Sequence, residues 1–197
     1  MLNENFIYLA LIFNILGNFS YLKAVIQGHA KPHKVSWFIW ALAPLVAFAA
    51  QISAGVGITS LMTFAVGFGP LLVFLASFIN KKSGWKINNF DYFCLVLSLS
   101  AIILWAITKD AMVALVLSII ADAVACIPTL IKSWYFPETE EYKAYLCAGI
   151  SAFITIFTLP QWTFDYYAFP VWILVICAIF VLLIKFKLGA FFKKRGA

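Results

Sequence analysis

Residues 121–141 read ADAVACIPTLIKSWYFPETEE. Asp122 stands inside an apolar run, Pro128 follows within it, and the acids Glu138, Glu140 and Glu141 come only after the run has ended at Pro137. In water such an acid would cap a helix or face solvent, so the first question is what solvent surrounds this chain. Of its 197 residues, 64% are hydrophobic and 11% are charged, and the mean hydropathy is +0.99. Soluble domains run at about 45–50% apolar and about 25% charged. No globular core of this size hides so much apolar surface, so the solvent is lipid and the expected class is an all-α polytopic membrane protein forming a single membrane domain, 1–197.

A helix needs about 20 mainly apolar residues to cross ~30 Å of hydrocarbon. Seven segments qualify: 5–27, 35–54, 58–80, 91–108, 111–135, 142–160 and 166–187. The breaks between them carry charge, Gly or Pro, as turns do. The first segment lacks the basic start and small-residue cleavage site of a signal peptide, so it is expected to stay in the mature protein.

Cytoplasmic loops collect Lys and Arg. With seven spans, Lys23, Lys31, Lys34, Lys81, Lys82, Lys86, Lys132, Lys143, Lys185, Lys187, Lys193, Lys194 and Arg195 fall on one face, and Lys109 alone of the 14 basic residues falls on the other. This places the N-terminus outside and the C-terminus in the cytoplasm, with a bacterial inner membrane as the expected location. The acids Glu138, Glu140 and Glu141 then form a solvated cytoplasmic turn. Trp162, Tyr166 and Tyr167 become anchors at the outer interface, where amphipathic rings settle.

The net charge of +6 is spread singly and in pairs between apolar runs, without the basic stripe of a nucleic-acid surface, so no nucleic acid is expected as a partner. Cys94, Cys126, Cys147 and Cys177 each lie in an apolar segment without CxxC spacing, and are expected to be small buried hydrophobes, not a disulfide framework or a metal site. There is no HExxH, no Gly-rich phosphate loop and no grouping of nucleophile, base and orienter. Enzyme chemistry and a resident cofactor are therefore not expected.

Sliding the fifth segment on the first sets Asn14 on Ser118, Asn18 on Asp122 and Ala24 on Pro128; one more loop residue then sets Pro32 on Pro137 and Trp40 on Tyr145. Two three-helix units in direct succession would point in opposite directions, and one intervening helix restores the same direction. The expected arrangement is 3+1+3, with parallel repeats: a first bundle in 5–80, a linker helix at 91–108 and a second bundle in 111–187.

The passage NFSYLKAVIQGHAKPHKVSWFIWAL (residues 18–42) and its counterpart DAVACIPTLIKSWYFPETEEYKAYL (residues 122–146) resemble the helix, short cytoplasmic loop and helix of the PQ-loop superfamily, which includes the SWEET sugar transporters and the lysosomal cystine exporter. The resemblance implies a seven-helix transporter with its substrate site on a pseudo-twofold axis and a proline-hinged rocking motion. At the motif position this chain has Ala24-Val25 in the first repeat and Pro128-Thr129 in the second, while its literal Pro160-Gln161 falls on the outer side.

Asp122 is the sharpest functional signal, since an ionisable group near mid-membrane costs about 2.5–3.5 kcal/mol on insertion scales. It serves either as a protonated acid bonded to a neighbouring helix or as a carrier that couples protons to transport; the resemblance to proton-coupled PQ-loop proteins implies the second. Asn14 and Asn18, one turn apart, are interhelical glue or ligands for a polar solute. Trp37 reads as an interfacial anchor, whereas Trp40, deeper in its helix, could stack on a substrate. Thr63 and Trp172 could complete the site wall. Pro44 and Pro128 match the helix prolines that the resemblance implies, and Gly67, Gly69 and Pro70 break the third segment where freed backbone groups must face protein or water; these five form the expected hinge set. His29 and His33, with no acid nearby in sequence, read as solvated.

The expected function is alternating-access transport of a small polar solute such as a sugar, an amino acid or a vitamin-like ring. The partners are the bilayer, the solute and protons, and a homo-oligomer is compatible with the sequence. A sensor or assembly protein without transport activity, and an integral-membrane enzyme, are the alternatives.

Overall fold

The computed structural model describes residues 5–53, 60–79, 86–108, 111–159 and 161–189. Seven α-helices follow in order: α1 (Phe6–Ile26), α2 (Lys34–Ser53), α3 (Ser60–Ile79), α4 (Asn89–Thr108), α5 (Ala111–Tyr135), α6 (Tyr142–Phe157) and α7 (Phe164–Lys185), with a 3-10 turn at Pro137–Thr139 between α5 and α6. Each coincides with one of the seven apolar segments, and no strand occurs among the described residues. A helix satisfies its backbone groups internally, which lipid cannot do for it. Four of the helices, α1, α4, α5 and α7, are long and apolar enough to cross a membrane, while Lys34–Leu45, Phe64–Ile79 and Tyr142–Phe157 form shorter apolar helical stretches. The chain is thus consistent with a helical membrane protein. Large side chains such as Phe19, Ile26, Phe93, Val96 and Ile107 point outward, where water would expel them and lipid accepts them.

Local chemistry sets the helix ends. α1 stops at Gly28, whose φ of 77° suits a residue without a Cβ, and the backbone N–H groups of His29 and Ala30 bond back to Ala24 O at 2.9 and 3.1 Å, absorbing a terminal carbonyl. α4 starts with a reciprocal cap: Asn88 N–H donates to Asp91 Oδ2 at 2.8 Å and Asp91 N–H donates to Asn88 Oδ1 at 3.1 Å. The Glu141 carboxylate accepts from Lys143 N–H at 3.1 Å to begin α6. Pro44, Pro70, Pro128 and Pro170 lie inside α2, α3, α5 and α7, each deleting one backbone bond from its helix.

The helices pack as two compact units: residues 1–30 with 130–197, and residues 31–129. In the first, α6 lies between α1 and α7. Gly17 makes the α1–α6 approach, since a Cβ there would meet Cys147 Cβ at 2.8 Å and Ala144 O at 3.0 Å. Tyr145 stacks on Phe180 of α7 at 4.3 Å. In the second unit, α2 packs against α3 and α4. Gly67 lets α3 come within 3.0 Å of Ala41 O and Leu45 Cγ, measured from where its Cβ would be. Ile39, Ile102, Ala121 and Ala125 form a core from α2, α4 and α5, covered by Phe38, Trp40, Leu42 and Leu117 among others. One face of α5, carrying Ala121, Ala125, Pro128, Thr129 and Lys132, is buried, whereas Val116, Ile120, Ile131 and Tyr135 are exposed; both sets follow helical spacing.

In one unit the packing order is therefore α1–α6–α7; in the other, α2 carries α3 and α4, with α5 meeting α2 at Ser36, Ile39, Ala121 and Ala125.

Candidate functional site

In the unit of residues 31–129, hydroxyls serve the backbone of α5 around its proline. Ser36 Oγ donates to Ala125 O at 2.5 Å and accepts from Thr129 Oγ1 at 2.7 Å, all buried. Ser98 Oγ donates to Ala121 O at 3.1 Å. A proline loosens the local backbone ladder, and these side chains tie the loosened stretch to α2 and α4. Asp122 lies within it, half-buried, with the Cys126 thiol donating to Oδ2 at 3.7 Å. Trp37 and Trp40 meet edge to face at 5.3 Å.

At the loop before α2, His33 Nε2 pairs with Asp91 Oδ2 at 3.3 Å, the two side chains 1% and 4% exposed. The sequence expectation of a solvated His33 is thus corrected: the acid it lacks nearby in sequence is supplied by the first turn of α4, where the cap with Asn88 already fixes the carboxylate. His29 is exposed as expected. Trp37 needs a correction too, because it is buried at 4% exposure and so cannot anchor in an interface.

In the other unit the Glu140 carboxylate is the centre of a buried network. Its Oε1 accepts from Lys132 Nζ at 2.6 Å, and its Oε2 accepts from Tyr21 Oη at 2.6 Å and from Tyr145 Oη at 3.0 Å. Lys132 Nζ also donates to Thr139 O at 3.4 Å. The Lys132 and Glu140 side chains are 1% and 0% exposed. The solvated turn expected at Glu138, Glu140 and Glu141 is therefore wrong for its middle acid. The 3-10 turn opened by Pro137 swings Glu140 inward onto α1, the end of α5 and α6. A buried charge persists only when paired and hydrogen-bonded, and both conditions hold here.

Asn14 and Asn18 are half-buried. Asn18 Nδ2 donates to Asn14 Oδ1 at 2.9 Å and to Asn14 O at 3.0 Å, so the expected interhelical glue is instead a bond within α1. Among the described residues, neither the Asn14 amino group nor Asn18 Oδ1 meets a further partner. The pair thus presents one donor and one acceptor.

Trp40 and Trp172 are half-buried on α2 and α7, as are Pro44 and Gly69, while Gly67, Pro70 and Pro128 are buried. The Gly67 contacts supply a packing reason for that glycine. Thr63 falls in α3, but its side chain lies outside the described residues, as does Pro160. Asn14, Asn18 and Trp172 belong to one unit, and Trp40 and Asp122 to the other. All four cysteines are free thiols, Cys94, Cys126 and Cys177 buried and Cys147 half-buried.

The missed residues are Tyr21, Lys132, Glu140 and Tyr145. Lys132 carried the available signal, being a lysine on the same helix face as Ala121, Ala125 and Pro128, where an unpaired cation could not remain. Comparison with protein-family models, curated proteins and solved structures finds no match for this chain.

Proposed function

We propose that the protein is a membrane transporter of PQ-loop, SWEET-like type that moves a small polar solute by alternating access. The observation that carries this is polar side chains set within apolar helices: the Asn14–Asn18 pair offers a donor and an acceptor, and the carboxylate of Asp122 sits half-buried in α5. A scaffold has no need of either, and each is costly in lipid. Asn14 and Asn18, with Trp172 in the same unit, are the residues proposed to bind the solute, and Asp122 is proposed to couple protons to its movement. Pro44, Gly67, Gly69, Pro70 and Pro128 give the helices their bending points.

In this scheme α1–α3 and α5–α7 are like-oriented repeats joined by α4. Contacts support it: aligning α1 with α5, α2 with α6 and α3 with α7 sets the α1–α6 and α6–α7 packing on the α5–α2 contact at Ser36, Ile39, Ala121 and Ala125 and on the α2–α3 packing. Individual contacts follow. Gly17 lies against Ala144 and Cys147, and its mate Ala121 packs with Ile39 and Leu42, which the same alignment sets on Ala144 and Cys147.

In this reading the C-terminus is cytoplasmic and the N-terminus outside, in a bacterial inner membrane, and the one-sided distribution of the basic residues supports the orientation. The Glu140 network then lies at the cytoplasmic end, joining α1, α5 and α6. The testing experiment is uptake by proteoliposomes, with and without an imposed pH gradient, across sugars, neutral and cationic amino acids and vitamin-like rings. Saturable uptake of one class supports transport. Uptake of none, by a protein that remains folded, favours the sensor or assembly alternative.

A further inference from the structure

On their outward side α6 and α7 leave an open groove of about 390 Å³ between them. Its walls include Leu146, Gly149, Ile150 and Phe153 of α6 and Ala178 and Val181 of α7, and are apolar almost throughout. Gly149 keeps the floor low, for a Cβ there would already stand 3.3 Å from Cys177 Cβ. The groove opens sideways, since Leu146, Phe153 and Ala178 are exposed.

Two cations mark one end. Lys143 lies one turn before Leu146 on α6 and Lys185 one turn beyond Val181 on α7, so each continues a groove-lining row at i, i+3 or i, i+4 spacing. Both are exposed. Lys185 Nζ lies 5.2 Å from the ring centre of Tyr142, which brings the two helix ends together at that mouth. α6 has only 16 residues, about 24 Å at 1.5 Å per residue, against ~30 Å of hydrocarbon. Its basic end therefore sits where headgroups reach it.

We propose that this groove is a binding site for an anionic phospholipid of the surrounding bilayer, with one acyl chain lying between α6 and α7 and the headgroup phosphate between Lys143 and Lys185. A soluble anion would leave the apolar walls empty, and an apolar helix of a second copy would leave the two lysines without a counter-charge. A single molecule with an apolar tail and an anionic head satisfies both. Basic pockets between membrane helices hold anionic headgroups on this principle. The site depends on the membrane placement of α6 and α7 and on no transported solute, so it stands or falls separately from the transporter proposal.

The test is native mass spectrometry of the full chain in mild detergent, offered phosphatidylglycerol and phosphatidylcholine with the same acyl chains. The expected result is preferential retention of phosphatidylglycerol, with the preference falling about fivefold for each of Lys143→Gln and Lys185→Gln. Ala178→Phe, at an exposed position, fills the groove without entering the core and should abolish retention of both lipids. Equal retention of the two lipids by the unmodified protein overturns the proposal. So does an undiminished preference in the double lysine variant, or lipid retention by Ala178→Phe equal to that of the unmodified chain.

Discussion

Replacing Glu140 by Gln keeps the shape of the side chain and removes its charge. Glu140 Oε1 takes Lys132 at 2.6 Å, while Oε2 takes the hydroxyls of Tyr21 at 2.6 Å and Tyr145 at 3.0 Å. A glutamine has one acceptor oxygen, and turning it toward Lys132 puts its amino group against the two tyrosines. Their hydroxyls can rotate to accept, so most of the hydrogen bonding survives. What does not survive is the counter-charge of an ammonium that is 1% exposed. Removing one partner of a buried pair costs about 3–5 kcal/mol, and that is the expected loss for Glu140→Gln. Lys132→Met should cost less, because the carboxylate keeps its two tyrosine donors. The double variant should recover most of the loss, since no uncompensated charge remains. Unfolding free energies in mixed micelles, taken through this double-mutant cycle, give a coupling of at least about 2 kcal/mol if the pair is intact. Additive losses, or a cost below about 1 kcal/mol for Glu140→Gln, would show that water reaches the pair.

Three further outcomes are expected. Asp122→Asn should still exchange solute in proteoliposomes but lose pH-driven accumulation, whereas Asn18→Ala should weaken binding in both modes; full accumulation by Asp122→Asn removes the proposed proton coupling. Gly17→Ala should cost about 1–3 kcal/mol through overpacking, because the new methyl would stand 2.8 Å from Cys147 Cβ and 3.0 Å from Ala144 O; a neutral effect in thermal unfolding would mean that α1 and α6 can separate freely. Ser36→Ala should cost about 1–2 kcal/mol by removing a second donor from Ala125 O and the acceptor of the buried Thr129 hydroxyl, and more than Thr129→Val, which leaves the Ser36 bond to Ala125 O in place; the reverse order in the same assay would show that the Ser36 bond to α5 contributes little.

The helices were legible because lipid imposes a harsh rule on sequence: a crossing segment must be mainly apolar for about 20 residues, and the breaks between such segments carry Gly, Pro or charge. The prolines inside α2, α3 and α5 were likewise plain to see. The surroundings of single charged groups were not. Glu140 sits among three other acids and hydroxyls in PETEE and reads as wet, yet it is held by Tyr21, 119 positions away. His33 reads as wet for the same reason, its partner Asp91 lying across α2 and α3 in sequence. Trp37 misleads in the opposite direction, since a tryptophan at a helix start suits an interface as well as a core. Periodicity records which solvent a segment meets, whereas ion pairs between distant elements leave no local trace. For Asn14 and Asn18 the spacing was informative, but not that the first amide to be satisfied would be Asn18's, by its own helix.

That internal bond matters during synthesis. The unit containing α1 is discontinuous in sequence, closing only when residues 130–197 join 1–30, and α1 packs on α6, which begins at Tyr142. At 5–20 residues per second, α1 waits roughly 6–23 s in the bilayer before its partner exists. During that interval α6, the helix it packs on within its unit, is not yet there. By folding Asn18 back onto Asn14, α1 lowers its own cost of residence in lipid, so a bond seen in the finished structure also helps the nascent helix to persist.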